Sequence, residues 1–275
     1  MGLFKPGWMN KDVDKALHAV EKLTDQGELA EAAKNAPDRR VQEDAIEKLS
    51  DQAILIDIAN NDKDGLVRKA AVKKITDGKA LATIAKNDEH WEAREEAVKR
   101  INNQAILLDL ASNGTHNDTR YIAAARLNDK QIAQKMYAEI AKNEGVYYYR
   151  QMAVERLIDQ APLLDLAKND KEIRKEAIKC LNPESLKSLM LFCCDVDTSD
   201  LEKERDNTIL QLHIAEALSN KLPEGFSKLF VDIDEYKKVS EKFKYKEEKR
   251  VGTTGCYARI TLTDKFGFDF PPFEG

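Results

Sequence analysis

The motif Ala-[Val/Ile]-x-[Lys/Arg]-[Leu/Ile]-x-[Asp/Asn] begins at Ala19, Ala45, Ala71 and Ala97, three consecutive spacings of 26 residues. Looser copies follow at Ala123 after 26, at Ala153 after 30 and at Ala177 after 24. A fixed period of this length restricts the fold more than any other feature of the chain, because each unit is too short to bury a core alone and must stack on its neighbours. Between the motifs runs a second half-unit: ELAEAAKN, AILIDIANN, ALATIAKND, AILLDLASN, MYAEIAKN and PLLDLAKND. Both half-units place apolar residues at helical spacing. Helices of about ten residues are marginal in water, so tertiary packing has to stabilise them. The Asp and Asn residues at the junctions suit N-caps and turns.

A [Val/Ile]-Arg-x-x-Ala-[Val/Ile]-x-x-[Leu/Ile] helix, then Asp, then a shorter Leu-x-x-[Ile/Leu]-Ala helix resembles the HEAT-like repeats of bacterial α-α superhelices. The short period also brings it close to leucine-rich-repeat-variant solenoids. The resemblance covers roughly residues 12 to 185. It implies an all-α, right-handed superhelix of about seven repeats and says little about function, since such solenoids serve as scaffolds, enzyme subunits and, in one branch, DNA-repair glycosylases.

After Leu181 the repeat degrades. A further helix is expected from Pro183 to Cys194 and another over residues 208–220, with charged helix over 234–249. Residues 251–270 alternate in a β-rich composition and predict a small hairpin. The expected organisation is a repeat domain over 1–220, with an N-terminal cap around Phe4–Trp8, and a C-terminal helix-plus-hairpin cap over 221–275. Both ends are expected to cover the open faces of the stack.

The remaining composition excludes several classes. The net charge is -5, with 34% charged residues of mixed sign, so the total exerts no strong pull on nucleic acid or membrane. No apolar run reaches the length of a spanning helix, and the first residues lack a secretory h-region. The four cysteines, Cys180, Cys193, Cys194 and Cys256, form no CxxC and read as reduced thiols of a cytoplasmic protein. His18, His90, His116 and His213 fall in no catalytic or metal-ligand register. No enzyme activity, cofactor or metal is expected.

With the motif alanine as position zero, helical geometry puts the Ala, the residues at +1 and +4, and the residue at -4 on one buried arc. An arginine column at -3 (Arg68, Arg94, Arg120, Arg150, Arg174) falls inside that arc and requires partners. The +6 column (Asp25, Asp51, Asp77, Asp129, Asp159, with Asn103 the exception) offers them. The expectation is an Arg–Asp ladder between adjacent repeats. A basic column at +3 (Lys22, Lys48, Lys74, Arg100, Arg126, Arg156) is the best feature for a nucleic-acid track, though acids at +2 and -1 offset it. Trp91 with Glu92 and Arg94 is a weak base-excision constellation.

The outward columns at -1, -2 and -5 are polar in most repeats. Around repeats five and six they become Tyr121, Ile122, Tyr148, Gln151 and Met152, beside Tyr147 and Tyr149. Exposed aromatic and Met side chains are the chemistry of a protein-binding hot spot. The expected function is therefore a non-catalytic scaffold, binding a protein partner at Tyr121, Ile122, Tyr147, Tyr148, Tyr149 and Met152. A nucleic-acid-binding or glycosylase-like protein is the alternative, and a regulatory subunit or chaperone of an enzyme a third.

Overall fold

The computed structural model describes residues 5–143 and 145–195, together with residues 206, 207, 209, 210, 213, 214 and 217. Each motif forms the first helix of a pair, and each intervening half-unit the second. The first helices are α1 (Val13–Glu21), α3 (Arg39–Lys48), α5 (Gly65–Val72), α7 (Trp91–Arg100), α9 (Asn117–Ala125), α11 (Tyr147–Arg156) and α13 (Arg174–Cys180). The second helices are α2 (Gln26–Asn35), α4 (Gln52–Asn61), α6 (Gly78–Asn87), α8 (Gln104–Asn113), α10 (Lys130–Asn143), α12 (Gln160–Asn169) and α14 (Pro183–Asp195). A single 3-10 turn, Gly7–Met9, precedes them.

Two compact units share the chain, residues 1–136 and 137–275. In the first, each motif helix packs on the next (α1 on α3, α3 on α5, α5 on α7, α7 on α9), and the second helices α2, α4, α6 and α8 touch one another in the same order. The rows are knitted by contacts of α2 with α3, α4 with α5, α6 with α7 and α8 with α9. In the second unit, α11 packs on α13, and α12 lies against α13 and α14.

The expected buried arc is present. Ala45, Ala71, Ala97, Ala123, Ala153 and Ala177 have no exposed surface, and the β-branched residues Val20, Ile46, Val72, Val98, Val154 and Ile178 beside the motif alanines are buried. The second helices contribute Leu55, Ile58 and Ala59, with the same triplet at Leu81, Ile84, Ala85 and at Leu107, Leu110, Ala111. Alanine stands at the motif position because nothing larger leaves room for helices approaching from both the repeat's own second helix and the neighbouring repeat. Gly65, the first residue of α5, serves a similar purpose. A Cβ there would lie 2.3 Å from the His90 ring, so only glycine lets the α6–α7 turn sit down on α5.

All described secondary structure is helical. Pro183 opens α14 as expected, and the described positions between 206 and 217 are helical. The hairpin over 251–270, the helix over 234–249 and the domain boundary at 220/221 lie outside the described residues. No described helix is long and apolar enough to cross a membrane.

Candidate interaction surface

Most of the charged columns have structural employment, which defines what is left for function. The arginine column is a ladder, but its partners are not the +6 aspartates. Arg68 donates from Nε and Nη2 to the two oxygens of Asp88 at 2.8 and 2.7 Å, and from Nη1 to the Asp62 carbonyl at 2.8 Å. Arg94 repeats this with Asp118 (3.2 and 2.6 Å) and the carbonyls of Asp88 and Glu89. Arg120 donates to the Ala111 carbonyl at 3.0 Å. Arg150 bonds the Ala141 carbonyl, Asp170 and Glu172. Arg174 bonds the Ala167 and Lys168 carbonyls and Asp206. Gln42 occupies the same register one repeat earlier and donates to the Ala33 carbonyl at 2.9 Å.

Each arginine therefore caps the carbonyl end of the preceding second helix, where unsatisfied C=O groups and the helix dipole favour a cation. Where the acids are placed, it also clips the carboxylate of the next inter-repeat turn. The expected pairing fails for a geometric reason. The -3 arginine lies in the first turn of its helix, and the +6 residue lies beyond the other end. Nine residues along a helix span roughly 13 Å, so the two columns run along opposite edges of the layer.

The +6 residues are N-caps instead. Asp51 accepts from the Ala53 and Ile54 amides, Asp77 from Lys79 and Ala80, Asp129 from Gln131 and Ile132, and Asp159 from Ala161. Asn103 accepts from Ala105 and Ile106 in the same way, so the one departure from Asp keeps the function of the column.

The +3 bases bond backbone carbonyls of the preceding repeat. Lys48 donates to Val20 and Glu21, Lys74 to Glu47, Arg100 to Ile75 and Arg126 to Ile101. Two further devices were not anticipated. Gln52 donates to the Lys74 carbonyl while its Oε1 accepts from the Thr76 amide and hydroxyl, and Gln26 and Gln104 make the same bridge to the next turn. On the second-helix row, a lysine clasps an aspartate of the next repeat, and an asparagine four residues on holds that aspartate. The clasps are Lys34–Asp57–Asn61, Lys86–Asp109–Asn113 and Lys142–Asp165–Asn169. These bonds hold all three carboxyls below their ordinary pKa; the lysine leads at Asp57 and Asp165, the asparagine at Asp109. The Asp-Gln dipeptide at the turns and the Asp-x-x-x-Asn spacing were the available signals.

Of the residues expected to bind a partner, the structure brings only some to the surface. Tyr148 is 60% and Tyr147 45% exposed at the start of α11, next to exposed Val146. Tyr149 is half-buried, its ring meeting that of Tyr148 edge-on at 5.3 Å. The Tyr147 hydroxyl is hydrogen-bonded to Glu176 of α13; burial first, and then that carboxylate, push its pKa above the ordinary phenol value. Ile122 and Met152 are half-buried, and Tyr121 is only 7% exposed. Tyr121 is therefore core rather than surface, unlike the half-buried Lys69, Glu95 and Gln151 at the same motif position.

The base-excision constellation does not assemble. Arg94 is committed to Asp118, and Glu92 pairs with Lys69 at 3.1 Å. Trp91 itself is 53% exposed, a second outward aromatic. Among the described residues no group of three His, Cys, Asp or Glu side chains could hold a metal.

No family model matches the chain, and no curated protein matches it. It is similar to the crystal structure of an engineered protein from a structural genomics consortium, at 17% identity over 94% of each chain with a TM-score of 0.19, a likeness that carries no argument.

Proposed function

We propose that this protein is a non-catalytic scaffold that binds another protein through the aromatic surface at the start of α11. The observation behind this reading is the exposure of Tyr147 and Tyr148 in adjacent positions on a helix whose Arg150 is committed to holding the stack together. Tyrosines present large, rigid, amphipathic area at low entropic cost, and interface hot spots are enriched in them. The reading extends to a continuous right-handed superhelix over the repeats, working in the cytoplasm and serving as a platform or as a regulatory or chaperone-like subunit of its partner.

The test is retention of proteins from a lysate of the source cell on immobilised wild type and on Tyr147→Ala/Tyr148→Ala, with melting temperatures compared. The expected result is a protein retained by wild type, lost from the variant, and held almost equally in low and moderate salt, because the contact is aromatic rather than ionic. A nucleic acid partner would instead release steeply as salt rises. Retention unchanged in the variant would overturn the assignment of the site. The nucleic-acid alternative rests on the +3 column, and a polyanion there would compete with bonds that four of the six bases make to backbone carbonyls.

A further inference from the structure

The first repeat carries a stacking face that, among the described residues, only the short 3-10 turn covers. Ala19 and Leu23 are only half-buried, whereas their equivalents one repeat later, Ala45 and Leu49, are enclosed. They line an open groove of about 840 Å³ together with Trp8, Met9, Gly27 and the acids Asp25, Glu28 and Glu31. The 3-10 turn fills part of this end. Trp8 is buried, and Gly7 approaches so closely that a Cβ would lie 2.8 Å from Ala19 Cβ.

The groove repeats a motif seen elsewhere in completed form. Glu31 stands in the register of Asp57 and Asp109, and Asn35 donates to it at 3.0 Å as Asn61 and Asn113 donate to theirs. In both later cases the carboxylate also receives a lysine from the second helix of the preceding repeat. Glu31 is exposed and, among the described residues, has no lysine partner.

We infer that this groove is a docking site for a lysine-bearing amphipathic helix of another protein, which packs against α2 beside the 3-10 turn, where the second helix of a preceding repeat would lie. Its apolar face covers Ala19, Leu23 and Met9, and its lysine completes the clasp at Glu31. The acidic rim selects a cationic helix. It also disfavours a second copy of this chain docked head to head, since that would set Asp25, Glu28 and Glu31 against the same three carboxylates. This inference does not depend on the tyrosine surface, which lies on a different helix.

The probe is a fluorescein-labelled peptide of residues 78–88, held helical by a hydrocarbon staple on its polar side, and it carries Lys86, the lysine that α6 gives to Asp109. Its binding to the full chain is read by fluorescence anisotropy. Saturable binding is expected, weakened about tenfold or more by Glu31→Lys in the protein or by Lys86→Glu in the peptide, and recovered when both changes are combined. A melting temperature equal to wild type shows that Glu31→Lys is folded, as its exposed position predicts. No binding by the wild-type pair, or equal binding in all four combinations, would overturn the proposal. Binding that appears only after residues 2–4 are deleted would also overturn it, by assigning the groove to the chain's own beginning.

Discussion

At the scale of residues, the consequential side chains are the buried arginines. The Arg94 and Asp118 side chains are 8% and 7% exposed, so neither charge is bathed in water. Arg94→Met leaves the Asp118 carboxylate without its bidentate partner and the carbonyls of Asp88 and Glu89 without their donor. The expected cost is about 3–5 kcal/mol, the range for breaking a buried pair by removing one partner, read as a lower urea midpoint with an unchanged slope. Arg94→Lys should recover only part of this, because an ammonium cannot span both carboxylate oxygens and the Asp88 carbonyl together. Gly65→Ala tests steric fit rather than charge. The added Cβ meets the His90 ring, and the expected loss is about 1–3 kcal/mol, typical of overpacking.

Elements are ended and linked by small polar devices repeated down the chain. Asp51→Ala removes the cap of α4 and should cost roughly 0.5–2 kcal/mol, while Asn103→Asp at the equivalent cap of α8 should be close to neutral. Thermal unfolding of the two variants side by side checks both. The clasps on the second-helix row give a pH dependence with a definite sign. Asp57, Asp109 and Asp165 have pKa values lowered in the folded state, so their stabilisation is fully present above the unfolded carboxyl pKa of about 3.9. It fades as pH falls through the lower folded values. Because these carboxylates are about half exposed (49%, 51% and 45%), each clasp is worth no more than ~1 kcal/mol. The triple change Asp57→Asn, Asp109→Asn, Asp165→Asn should therefore lower stability modestly at pH 7 and flatten its decline below pH ~4. An acid limb identical to wild type in urea titrations would show that other carboxylates dominate it.

For the whole molecule, the repeats explain why function is confined to few places. Within each unit, Arg, Lys, Gln and capping Asp side chains are committed to bonds between or within repeats, and the second helices carry the clasps. Among the described residues, Trp91 in the first unit and Tyr147 and Tyr148 in the second are exposed aromatics, and the groove beside α2 is open. Tyr148→Ala is expected to change the folding free energy by about 1 kcal/mol at most, the worth of its edge-on ring contact with Tyr149, so a lost interaction could not be blamed on unfolding. Trp91→Ala should be comparably mild, and the Trp91 emission of the wild type should respond to any partner that lies along α7.

The period of 26 was enough to predict paired short helices, the buried alanine column and the existence of an arginine ladder, because helical periodicity and the cost of burying charge are local and general. Reading the +6 residues as ladder partners went wrong because a helical wheel carries no meaning past the end of a ten-residue helix. Whether Asp51 meets an arginine or a backbone amide depends on which edge of the layer it reaches. The tyrosines show the same division. Their clustering near the stretched repeat was legible from composition, but the burial of Tyr121 and the exposure of Tyr148 were not, because enclosure of a side chain is set by tertiary neighbours rather than by its own helix. The open groove beside α2 belongs to tertiary structure altogether: Ala19 has the same sequence context as Ala45, and it stays half-buried because, among the described residues, a short 3-10 turn rather than a full helix pair packs on it.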